Sequence, residues 1–139
     1  MPSLVLDTDV VIRLLTGDDP RKQAEAEELF RRADRGDIVL IAPDTMIADA
    51  IHVLSSPRIY GLPRQQVAQM LRAVLAFRGL RVMNEPLVRE ALDVFAVSTV
   101  DFGDAMIAAL ASSQSLPVVS YDRDFDRLSG VTRREPPDA

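Results

Sequence analysis

Apolar positions along the chain follow two spacings. "SLVLD", "DIVLIAP" and "LPVVSYD" are short, continuous apolar runs rich in branched residues, the pattern of buried strands. "LRVM" is read as a third strand in chain order and "GVTRR" as a short last one. Between them the apolar residues recur every three or four positions, as on helix faces. "DVVIRLLTG" predicts a short helix closed by Gly17. "DPRKQAEAEELFRRADRG" predicts a solvated helix with Asp19 as cap and Pro20 first. Its buried stripe is Ala26, Leu29, Phe30 and Ala33, and Glu27/Arg31 and Glu28/Arg32 stand four apart in the favourable order. "DTMIADAIHVLSS" predicts a helix capped by Asp44, followed by the loop "PRIYG". "LPRQQVAQMLRAVLAFRG" turns Val67, Met70, Leu71, Val74 and Leu75 to one face, and "EPLVREALDVFAVS" does so with Val88, Ala91, Leu92 and Phe95. "DFGDAMIAALASSQS" is a further helix, and "DRDFDRL" one helical turn. Strands that alternate with helices and are apolar throughout imply an α/β fold, a parallel sheet covered on both faces.

A chain of 139 residues, 47% of them hydrophobic, suits one folded domain. Aromatic residues make up only 5%, and Trp is absent, so no stacking platform for single-stranded nucleic acid stands out. The absence of Cys excludes disulfides, zinc–thiolate sites and a cysteine nucleophile. With no signal-like segment and no bilayer-length apolar run, a soluble protein of the cytoplasm, without a membrane partner, is expected. The net charge of −5 argues against a simple nucleic-acid coat, though not against an enzyme that holds phosphates through bound cations.

The placement of the acids changes the picture. Asp7 ends the first strand and Asp122 ends "PVVSYD". In a parallel sheet, ligands bind beyond the carboxyl ends of the strands. Asp104 lies in the first turn of a helix, in an apolar run, and Asp49 lies inside the helix after the second strand. Asp7 also fits the cap of the helix that follows it, and both readings stand. For Asp101 the cap is preferred, because Asp101 and Asp104 form a D-x-x-D pair. Thr45, Asp49, His52 and Ser56 make a polar stripe at helical spacing, flanked by apolar residues on both sides. That suits a cleft wall better than an open face. His52 is the only histidine, and nothing pairs with it as a catalytic base would require. Carboxylates gathered at one edge would repel and raise one another's pKa. Lys22 is the only lysine, so a hard dication, Mg²⁺ or Mn²⁺, is the fitting counter-charge. Such ions carry phosphate chemistry and bridge an acidic protein to an anionic polymer.

In order along the chain, "LVLDTDVVIRLL", "APDTMIADAIHVLSSPRIYGLPRQQV", "DFGDAMIAALA" and "VVSYDRDFDRLSGV" resemble the four motifs of PIN-domain ribonucleases. The last two are the most specific. The resemblance is nearest to the small VapC-like toxins of bacterial toxin–antitoxin pairs, and spans nearly the whole chain. It implies one PIN-like nuclease domain over 1–139, a three-layer sandwich with a central, mainly parallel five-stranded sheet. It further implies homodimers, RNA cleavage and an antitoxin lying over the acidic cleft, often with an Arg among the carboxylates, where a guanidinium can replace the cation. By this resemblance Asp7, Asp49, Asp104 and Asp122 bind the metal, Ser120 assists at the strand end, and Asp124 is an outer ligand. Two positions depart from the pattern. Asp49 stands where Glu is usual, one methylene short, and Asp9 where Asn is common, so Asp9 is a further candidate ligand or serves the helix N-terminus.

Two other readings compete. "LVLDTDVVI" also fits the D-x-D opening of haloacid-dehalogenase-type phosphatases, with Asp7 as nucleophile and Asp9 as acid/base. That chemistry wants a downstream basic residue and a late acidic pair, and "GDAMIAA" lacks the second acid. A PIN-like module that binds RNA or a protein without cutting is the non-enzymatic rival, kept open by the Asp at position 49. Arg13, Arg58, Arg64 and Arg123 are candidates for RNA contact by position.

Overall fold

The computed structural model describes residues 1–139. The chain forms six α-helices and five strands, and all paired strands are parallel. They fall into two compact units, Met1–Glu85 and Pro86–Ala139.

The first unit holds β1 (Ser3–Val5), α1 (Thr8–Leu15), α2 (Pro20–Asp34), β2 (Val39–Ala42), α3 (Asp44–Ser55), α4 (Arg64–Leu75) and β3 (Leu80–Val82). Its sheet runs β1-β2-β3, with Leu4 opposite Leu40 and Leu40 opposite Leu80. β2 is the central strand, and its Leu40 and Ala42 are buried. β1 differs from the buried strand expected: Leu4 is 43% and Val5 83% exposed. It is an edge strand with β2 on one side only. The core is filled by Phe30, Ile38, Ile47, Leu54, Val67 and Leu71. The ring of Phe30 packs on Phe77 with centroids 4.9 Å apart. Where α2 passes the start of β3, only glycine fits: a methyl at Gly79 would collide with the carbonyl of Ala33.

Asp19 caps α2, accepting the Lys22 N–H at 3.1 Å, with Pro20 first in the helix. Glu27 pairs with Arg31 at 3.3 Å. Glu28, however, takes Arg31 and Arg35 rather than Arg32, since Arg31 reaches it from one turn on and Arg35 from two. Asp44 is not the cap of α3 either. Pro43 holds that position, and Asp44 instead accepts a hydrogen bond from the Asn84 amide at 3.0 Å.

The second unit holds α5 (Glu85–Val97, begun by the last residue of the first unit), α6 (Phe102–Gln114), β4 (Val118–Val119) and β5 (Arg133–Arg134). β4 and β5 form a separate two-stranded sheet. The strand expected in "LPVVSYD" is thus shorter and more open than its apolar run suggests, with Val119 52% exposed. Ala108, Ala111, Val118 and Phe125 form a small core covered by Leu128 and Val131. The rings of Phe95 and Phe102 meet edge to face at 6.3 Å. α6 ends at Ser115, which adopts φ 54°, the left-handed conformation that closes a helix. No single helix is long and apolar enough to cross a membrane; α5 and α6 reach that length together only across a 119° bend.

Candidate functional site

Asp7 follows β1, where the ladder continues through Leu6 N–H to the Ile41 carbonyl at 2.9 Å. Its extended backbone makes it the N-cap of α1, and its Oδ1 accepts the Thr8 N–H at 2.7 Å. Capping leaves the carboxylate at the surface, where it lines two adjoining pockets. One, of about 520 Å³, is bounded by the acids Asp7, Asp9, Asp18 and Asp49, by Arg13, and by Tyr60 with its apolar neighbours. The other, of about 310 Å³, again contains Asp7 and Asp49, with Thr45 and Met46. Asp49 therefore belongs to a cleft wall, as its flanking apolar residues suggest. His52 is exposed and lines neither pocket. Lys22 lies in a separate groove with Asp9, Arg13 and Glu25. It lines neither of the two pockets that carry Asp7.

The second unit brings a further set of acids together. Asp101 caps α6 and accepts the Asp104 N–H at 2.8 Å. Asp104 is half-buried one turn in. Burial raises its carboxyl above the usual aspartate range, and the charges of Asp101, Asp122 and Asp124 raise it further. Asp122 begins a 3₁₀ turn, Arg123–Arg127, and accepts the Asp124 N–H at 2.9 Å. Its own N–H donates to Ser120 Oγ at 2.9 Å. Arg133 underpins this loop. It donates to the Ser120 carbonyl at 3.0 Å and grips Asp126 through two bonds of 3.0 and 3.2 Å. Asp124 pairs with Arg127 at 3.5 Å.

The candidate residues thus fall into two groups, with Asp7, Asp9 and Asp49 in the first unit and Asp104, Asp122, Asp124 and Ser120 in the second. Within neither unit do three or more carboxylate or imidazole side chains stand close enough to hold one ion. The donor chemistry nonetheless suits a hard cation: the candidates are carboxylates with the Ser120 hydroxyl beside them, and the Asp104 carboxyl is raised first by burial and then by the charges of Asp101, Asp122 and Asp124. The sequence does not single out the Tyr60–Asp18 pair, whose members stand 42 residues apart, or Arg133, whose partners Ser120 and Asp126 follow no helix or strand spacing.

A family model described as the PIN domain matches residues 4–131. A VapC ribonuclease of Aquifex aeolicus is 23% identical over 92% of this chain and 93% of its own. Ribonuclease VapC31 of Mycobacterium tuberculosis is 28% identical over 96% of this chain and 98% of its own. The solved VapBC2 of Rickettsia felis, bound to a promoter DNA fragment, aligns over 97% of this chain and 98% of its own at 13% identity, with a TM-score of 0.37. Since the family match takes in all four acid-bearing motifs and nearly the whole length, the chain belongs to the PIN-domain family.

Proposed function

We propose that this protein is a metal-dependent endoribonuclease, the toxin of a toxin–antitoxin pair, and that residues 1–139 act as one nuclease domain. The observation that carries the reading is Asp104, a half-buried carboxylate crowded by Asp122 and Asp124, inside a motif that the PIN family model covers. The relatives named as ribonucleases support it over almost their full length. Asp7, Asp49, Asp104 and Asp122 would hold Mg²⁺ or Mn²⁺. When bound, such an ion supplies Lewis acidity to the phosphodiester and acidifies the attacking water. The chain's own part is to hold these oxygen donors in place: Asp7 through its cap bond from the Thr8 N–H, Asp104 through the Asp101 cap, Asp122 through Ser120 and Arg133, and Asp49 by its place on α3.

The finer features are part of the same proposal: a continuous five-stranded sheet within a three-layer sandwich, a homodimer, a cytoplasmic location and an antitoxin over the acids.

Incubation of the protein with a mixed RNA pool tests the function. Cleavage to 3′-hydroxyl and 5′-phosphate ends is expected with Mg²⁺ or Mn²⁺, and none with excess chelator. Cleavage that survives the chelator would overturn metal dependence, and a pool left intact with either ion would overturn the nuclease reading. Asp49→Glu restores the longer side chain usual in the family at an exposed cleft position. It is expected to keep or raise the cleavage rate, measured under the same conditions. A folded but inactive variant would remove Asp49 from the metal set.

A further inference from the structure

The 520 Å³ pocket that carries Asp7 and Asp49 is also lined by Ile12, Val53, Ile59 and Tyr60, which have no part in holding a cation, and by Arg13 and Asp18. Tyr60 is one of only two tyrosines in a chain without Trp, and the phenol is tied down. Its hydroxyl donates to Asp18 Oδ2 at 2.7 Å and lies 3.5 Å from the buried Thr16 hydroxyl. The Tyr60 hydrogen bond is the first cause of the lowered Asp18 pKa, so Asp18 stays ionised. The same carboxylate stands 3.8 Å from the Arg13 guanidinium. Asp18 therefore holds the Tyr60 phenol by a hydrogen bond and stands near the Arg13 guanidinium, in the pocket that Asp7 and Asp49 also line. Ile59, beside Tyr60, is 56% exposed with nothing covering it.

Resting on the ribonuclease reading, we infer that this wall is a nucleotide subsite for single-stranded RNA. The base of a nucleotide flanking the scissile bond lies against Tyr60 and Ile59, and its phosphate meets Arg13. A nucleotide offers the flat apolar face of its base and an adjoining phosphate anion, which are the two features this wall complements. The ring, tied through its hydroxyl, needs little reordering on binding, and Arg13 is the one cation among the four acids that line the pocket. Asp18 is a positioning residue, acting through Tyr60 and Arg13 rather than on RNA. In a protein of net charge −5, one aligned Arg and one ring give the polymer a place to bind beside the acids.

The test uses the full-length protein and a mixed-sequence, single-stranded RNA dodecamer, with Ca²⁺ replacing Mg²⁺ for binding. Tyr60→Ala is expected to raise Kd by roughly ten- to a hundredfold, the usual loss for one base–aromatic contact. In Mg²⁺ the loss falls on KM rather than kcat. Arg13→Ala is expected to lower the slope of log Kd against log salt by about one. Because Tyr60 is half-buried, ring-labelled tyrosine in Tyr121→Phe gives a second reading that leaves the pocket intact. The Tyr60 ring protons, then the sole tyrosine signals, should shift upfield on RNA addition. An unshifted ring, or wild-type Kd in folded Tyr60→Ala, overturns the subsite while the wild type still cuts RNA. A wild type that neither binds nor cuts RNA overturns the function itself.

Discussion

Asp104→Asn is expected to lower RNA cleavage by on the order of a thousandfold, a loss typical of deleting one electrostatic contact to a transition state. The substitution keeps the shape of the side chain and removes its charge. Its effect on stability has the opposite sense. Burial, and then Asp101, Asp122 and Asp124, raise the Asp104 carboxyl above its ordinary value. In the metal-free protein the folded state therefore holds a proton more tightly than the unfolded chain does. The ionised carboxylate opposes folding at neutral pH, and the penalty fades as pH falls through the raised value toward the ordinary aspartate range. Metal-free Asp104→Asn should accordingly melt at or above the wild-type temperature at neutral pH, with the difference narrowing in acid. Circular-dichroism melts beside a cleavage assay read both effects. A folded variant with wild-type cleavage would remove Asp104 from the catalytic set.

Phe30→Ala is expected to carry the largest cost in stability. Phe30 is fully buried in α2, and its ring rests on Phe77. Removing a ring from a closed core costs about 3–5 kcal/mol, because the transfer energy is lost and a cavity remains. For a chain of this size the melting temperature should fall by roughly 10–15 °C. A melt within about 2 °C of wild type would mean that the core around α2 closes over the gap. Any loss of cleavage should follow the unfolded fraction and vanish on cooling, unlike that of Asp104→Asn.

Helices were the most legible elements, since an amphipathic helix writes its period and its stop signals locally. α2 shows this, with Asp19 and Pro20 where the pattern puts them and Ala26, Phe30 and Ala33 of its expected stripe buried, while Leu29 is only half-buried. Asp101 is the cap its D-x-x-D spacing suggests, and Asp7 is a cap whose carboxylate still lines a pocket. Strand surroundings were less legible. An apolar run such as "SLVL" says that a strand forms but not what covers it, and β1 and β4 keep apolar side chains exposed. Side-chain partners were harder still: Glu28 chose Arg31 and Arg35, and Asp44 chose Asn84, because rotamers and loop paths decide such pairs.

The sequence by itself determined the alternation of strand and helix, the caps at Asp7, Asp19 and Asp101 and the four acid-bearing motifs, all set by near neighbours along the chain. Only the tertiary structure decided that Tyr60, Asp18 and Arg13 share a pocket with Asp7 and Asp49, and that Arg133 braces the Ser120–Asp122 loop. The physical reason is that a hydrogen bond across 42 residues leaves no periodic trace in the sequence. It exists only once loop closure has brought its two ends together.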